Sequence, residues 1–128
     1  MYSNTGMRTV NISKIFENEH DPTILDCSYM FYNCPELTTI TGSLLVNQHI
    51  VNEVKFISMF ENCSKLTTIS AIFGNKTLLP DMTRMFKNCD ITNLPNEMFN
   101  YTYKGTEVNI PTEMFYGNSH LVNYPIVN

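Results

Sequence analysis

Charge is scarce in this chain. Only 16% of its 128 residues are Asp, Glu, Lys or Arg, and the net charge is -4. The eight Lys and Arg residues form no run. A nucleic-acid surface needs them clustered to neutralise phosphates, so nucleic acid is not an expected partner. No apolar stretch approaches the length of a bilayer-spanning helix, so membrane insertion is not expected either. The N-terminal Met1-Tyr2-Ser3-Asn4-Thr5-Gly6 lacks the basic and apolar regions of a signal peptide, and no anchor motif is present. These features leave the localisation open.

Signatures of chemistry are missing as well. The three histidines, His20, His49 and His120, recur at no common offset from a cysteine. There is no Cys-x-x-Cys pair and no Gly-rich phosphate loop. The expectation is therefore no catalysis, no metal and no cofactor. Asn11, Asn62, Asn75 and Asn100 each open an Asn-x-Ser/Thr triplet, which chance supplies in a chain this rich in Asn, Ser and Thr.

What the chain does contain is repetition. Met30-Phe31-Tyr32-Asn33-Cys34-Pro35-Glu36-Leu37-Thr38-Thr39-Ile40 returns as Met59-Phe60-Glu61-Asn62-Cys63-Ser64-Lys65-Leu66-Thr67-Thr68-Ile69. A third copy, one residue shorter, runs from Met85-Phe86-Lys87-Asn88-Cys89 to Leu94. The fourth begins Met114-Phe115-Tyr116-Gly117-Asn118, with Asn118 in the cysteine position. A period of this order, held over several copies, marks a stacked repeat protein. With 43% hydrophobic residues, a chain of this length can bury a core as a single domain over 1–128.

Within each copy the Thr-rich stretch predicts a short strand, because β-branched residues favour a pleated surface. Five such strands are expected, near 9–13, 37–41, 66–70, 91–95 and 121–125. The Met-Phe-x-Asn-Cys stretch predicts one or two helical turns, since its Met and Cys stand at i and i+4. Apolar pairs at Ile15-Phe16, Leu44-Leu45, Ile72-Phe73 and Met98-Phe99 are expected to enter the same core from the connecting segments. The polar stretch 96–109 is expected to leave the repeat as a loop. The shortened third copy is expected to distort the stack locally.

Three of the four cysteines, Cys34, Cys63 and Cys89, share one repeat position, which favours buried thiols over disulfides. Phe31, Phe60, Phe86 and Phe115 form one expected inward row. Leu37, Leu66, Ile91 and Leu121 form a second. Ile12, Ile40, Ile69, Leu94 and Tyr124 form a third.

The Met-Phe-x-x-Cys-x-x-Leu-x-x-Ile pattern resembles the BspA-like leucine-rich repeats over roughly residues 9–125. The resemblance implies an α/β repeat fold, a right-handed leucine-rich-repeat solenoid. Its short parallel β-sheet of about five strands would lie opposite short helical turns. It implies an Asn or Cys column that hydrogen-bonds loop backbone, a role that suits Asn118. Members of that family are mostly cell-surface or adhesive proteins, so the implied function is a binding module for a protein or glycan. A structural repeat component of a larger assembly, such as a virion or cell envelope, is the other reading, and oligomerisation through exposed solenoid ends goes with it.

Side chains alternate along a strand, so the residues flanking the inward Ile face outward. The candidate binding face is Thr39, Thr41, Thr68, Ser70, Asn93 and Asn123, all short and uncharged. Tyr101 and Tyr103 in the 96–109 stretch are a competing candidate, because amphipathic rings favour interfaces.

Overall fold

The computed structural model describes residues 6–12, 24–42, 53–70, 81–95, 102–103, 106–107, 110–111 and 113–122. The four connecting apolar pairs, together with Tyr101, Asn123 and Tyr124, lie outside the described residues.

Three short strands build a parallel sheet in the order β1 (Thr9–Asn11), β3 (Thr39–Thr41), β5 (Thr68–Ile69). β1 and β3 each carry one buried apolar residue between polar ones, and β5 sets the buried Ile69 beside the exposed Thr68, the pattern of a sheet buried on one face. Pairing sets Thr9 beside Thr39 beside Thr68, and Val10 beside Ile40 beside Ile69. The first strand therefore sits two residues away from the expected register, in which Ile12 took Val10's place. A shift of two keeps every side chain on its own face. Val10 and Ile12 are both buried, so either register satisfies the pattern.

A second parallel pair joins β2 (Ile24–Asp26) to β4 (Glu53–Lys55), and Lys55 continues to Asp81 through an isolated bridge. The sequence reading missed these strands. Two strands of a separate antiparallel hairpin, β6 (Thr102–Tyr103) and β7 (Thr106–Glu107), lie in the stretch expected to leave the repeat. No strand occupies 91–95, and residues 121–122 carry none.

The Met-Phe segments are turns, not helix. Overlapping i→i+3 bonds step through each one, as in Met59 N to Phe56 O (3.2 Å), Glu61 N to Ser58 O (3.3 Å) and Cys63 N to Phe60 O (3.2 Å). Left-handed residues recur four apart and prevent a helix: Tyr29 and Asn33, Ser58 and Asn62, Arg84 and Asn88. Positive φ at the third residue of a turn, with the second residue negative, is the type II arrangement. The last position of this kind holds Asn33, Asn62, Asn88 and then Gly117, the residue types that tolerate it. At Gly117 a side chain would also collide with Asn88.

The amides left over by the turns bond sideways to the next segment. Cys27, Tyr29, Phe31 and Asn33 donate to the carbonyls of Lys55, Ile57, Met59 and Glu61. Phe56, Ser58, Phe60 and Asn62 donate to Asp81, Thr83, Met85 and Lys87, and Phe86 and Asn88 to Met114 and Tyr116. All ten bonds are 2.7–3.0 Å long. Alternate amides thus serve the turn and the neighbouring segment, which accounts for the buried backbone.

This ladder aligns the core. Phe31, Phe60, Phe86 and Phe115 stack at centroid spacings of 5.2, 5.4 and 5.6 Å with rings within 6° of parallel. Leu37, Leu66 and Ile91 are fully buried beside them. A row that sequence reading overlooked, Cys27, Phe56 and Met82, is buried three residues before the first three Met-Phe pairs. Its signal was an apolar residue at that offset in three successive copies.

Candidate functional site

The cysteine column carries backbone, not chemistry. All four thiols are free and buried. Cys63 Sγ donates to Phe31 O and Cys89 Sγ to Phe60 O, each at 3.1 Å. Asn118 repeats the contact with Nδ2 on Phe86 O at 2.8 Å. Its amide also reaches Phe115 O (3.0 Å), and its Oδ1 accepts from Ile91 N (2.9 Å).

Burial pushes the Cys63 thiol up to about 12 and the Cys89 thiol well above its ordinary value. A group with a raised folded-state pKa contributes stability that is complete below the unfolded value, near 9 here, and is lost as pH rises toward the folded one. Stability in denaturant melts is therefore expected to fall between pH 9 and about 12. Thiol reagents at neutral pH are expected to label Cys34, Cys63 and Cys89 only as fast as the protein opens. Rapid labelling of the native protein, or a disulfide in its intact mass, contradicts both.

The candidate face lies on the outer side of β1, β3 and β5. Thr41, Thr68 and Asn93 are exposed, and Thr39 and Ser70 half-buried. Part of their hydrogen-bonding capacity already ties the strands together. Ser70 Oγ donates to Gly42 O at 2.6 Å and Thr41 Oγ1 to Val10 O at 3.4 Å. The Thr38–Thr39 and Thr67–Thr68 hydroxyl pairs lie 3.3 and 3.4 Å apart. Hydroxyls that donate inward still offer lone pairs outward.

Beyond β5 the surface opens into a groove of about 410 Å³, lined by residues 67–70 and 92–95. Its origin is the shortened third copy. Asp90 N bonds Leu66 O at 2.9 Å, and Asn118 takes the next amide, that of Ile91. The sheet order ends at β5 among the described residues. The groove brings together Thr68, Ser70 and Asn93, leaves Thr39 and Thr41 on the adjoining strand, and adds Thr67, Thr92 and Pro95. Its volume is within the range of small-ligand sites. Among the described residues no ionisable side chain lines it, so the described lining offers hydrogen bonds without acid–base groups. Tyr103 lies in β6, in the hairpin with β7.

Among the described residues, no three His, Cys, Asp or Glu gather where a metal ion would sit, and no helix is long and apolar enough to cross a membrane. His120 instead meets Asp90 at 3.0 Å on an exposed surface.

A second surface, absent from the sequence reading, follows the turns. Tyr29 and Tyr32 meet edge to face at 5.7 Å. Arg84 lies 3.6 Å from Glu61 and 3.8 Å from Glu113, and Lys87 sits 5.6 Å over the Tyr116 ring. Asn88 Nδ2 donates to Asn62 Oδ1 (2.9 Å), and Asn62 Nδ2 to the Tyr32 hydroxyl (3.2 Å). Exposed pairs of this kind contribute little stability each. Part of their signal was the residue after each Met-Phe pair, which reads Tyr, Glu, Lys, Tyr along the copies.

No protein-family model, curated protein or solved structure matches the chain.

Proposed function

We propose that this chain is a right-handed leucine-rich-repeat solenoid of the BspA-like type and works as a non-catalytic binding module. It would recognise a protein or a glycan in the manner of cell-surface and adhesion proteins. The observation that carries the reading is the groove beside β5, where short uncharged hydroxyl and amide side chains converge over Ile69, Leu94 and Pro95. Such a lining suits a neutral, hydrogen-bonding ligand: a saccharide or an extended peptide backbone. Electrostatic steering is small there, so affinity is expected to vary little with salt.

Glycan and peptide arrays supply the ligand, and two double variants locate the site. Changing Thr39 and Thr68 together to Arg is expected to weaken binding at least about tenfold, the loss typical of a contact at the centre of an interface. Changing Tyr101 and Tyr103 together to Ala is expected to leave it unaltered. Loss of binding in the tyrosine variant alone transfers recognition to the 96–109 stretch and overturns the groove assignment.

The second reading, a structural component of a larger assembly, rests on a separate observation: the carbonyls of Ser28, Met30 and Tyr32 on the turn side have no donor among the described residues.

A further inference from the structure

The parallel ladder stops at β5, inside the chain, because its next donor is a proline. Thr67 N and Thr68 N donate to Thr38 O, and Ser70 N donates to Ile40 O at 3.1 Å, so β5 closes the open side of β3. Backbone groups alternate sides along a strand, so Thr67 O and both backbone groups of Ile69 face the groove instead. In the third copy, Asn93 and Pro95 stand where Thr68 and Ser70 stood. Proline has no amide to give Ile69 O. The shortened lead-in directs Asp90 N to Leu66 O and Ile91 N to Asn118 Oδ1, and Val122 N holds Thr92 O from the far side at 3.0 Å. Thr67 O, Ile69 N and Ile69 O therefore have no partner among the described residues. Thr67 and Ile69 line the groove opposite residues 92–95.

We infer that the groove takes an extended peptide segment as an added parallel strand on β5. One peptide residue donates to Thr67 O and accepts from Ile69 N, and the residue two further on donates to Ile69 O. This rests on the groove being the binding site, and it names which of the two ligand classes enters. An acceptor, a donor and an acceptor within two residues repeat the edge that β3 presents to β5. A peptide main chain answers that order at its own two-residue repeat of about 6.6 Å, and unpaired strand edges template such pairing. Saccharide hydroxyls rotate and carry no such repeat.

The test uses acetyl-Leu-Thr-Thr-Ile-Ser-amide, the sequence of residues 66–70, which already answers Thr38 O and Ile40 O within the fold. Titrated into the full chain, it is expected to shift the resonances of Thr67–Ser70 and to slow hydrogen exchange at Ile69 N. N-methylation of its second threonine or of its serine removes an amide that faces β5, and each is expected to weaken binding at least about tenfold. N-methylation of its isoleucine removes an amide that faces away and is expected to weaken binding less. A peptide that fails to bind at millimolar concentration, binds without protecting Ile69 N, or responds equally to all three methylations overturns strand addition. Should the peptide fail while an array glycan binds and is weakened by the Thr39 and Thr68 arginine pair, strand addition falls and the groove stands. Array ligands indifferent to that pair overturn the groove itself.

Discussion

Phe60→Ala is expected to lower unfolding free energy by roughly 3–5 kcal/mol, the cost of truncating a fully buried phenylalanine. Phe60 is fully buried, with Phe31 at 5.2 Å on one side and Phe86 at 5.4 Å on the other. Removing its ring opens a gap between two rings held in place by their own backbone ladders, so collapse into the cavity is restricted. Phe31 and Phe86 each lose an offset-stacked neighbour, worth about 0.5–1.5 kcal/mol apiece beyond area burial. Total stabilities of small domains are about 5–15 kcal/mol, so the loss is a large share of the whole. Urea melts of Phe60→Ala beside Val122→Ala, an exposed control, measure it. Equal midpoints for the two variants would remove the phenylalanine row from the core.

Asn118→Ala is expected to cost about 3 kcal/mol by a different route, leaving a buried polar group without its partner. The Phe86 carbonyl retains the Cys89 amide and the Phe115 carbonyl retains the amide of residue 118. Ile91 N has no other acceptor among the described residues, since Asn118 Oδ1 is its partner. Asn118→Cys separates the contributions. A thiol there restores the bond that Cys63 and Cys89 make to the preceding phenylalanine carbonyl, but offers Ile91 no comparable acceptor. Its loss is expected to fall between wild type and alanine, by about 1 kcal/mol for the recovered bond. A cysteine variant as unstable as the alanine variant would deny the two side chains a common role.

The aligned columns of the repeat were readable from sequence because each places one residue type at one offset. The phenylalanine row, the thiol column and the Asn118 substitution all follow from alignment alone. Features that satisfy two patterns at once were not readable. The i, i+4 spacing of Met59 and Cys63 suits a helical face, and it also suits a run of turns. Only the recurrent asparagine just before the cysteine, at a left-handed position, distinguishes them. Val10 and Ile12 serve the inward face equally, which left the register of β1 open by two residues. The groove was legible as a disturbance at the shortened third copy but not as a cavity, because Asn118's capture of the Ile91 amide is a long-range contact. The internal bonds of Thr41 and Ser70 likewise depend on neighbouring strands. Of the candidate residues, Tyr101 and Asn123 lie outside the described residues.

The turn ladder positions the sheet face and the groove, and amide hydrogen exchange resolved by residue tests it most directly. Tyr29, Phe31, Asn33, Ser58, Phe60 and Asn62 donate across segments within 3.0 Å and are expected to exchange only with global unfolding. Glu113 and Gly117, in the same positions on the fourth Met-Phe segment, have no acceptor among the described residues and are expected to exchange faster. Slow exchange confined to β1, β3 and β5, with the six central amides as fast as Gly117, would contradict the ladder.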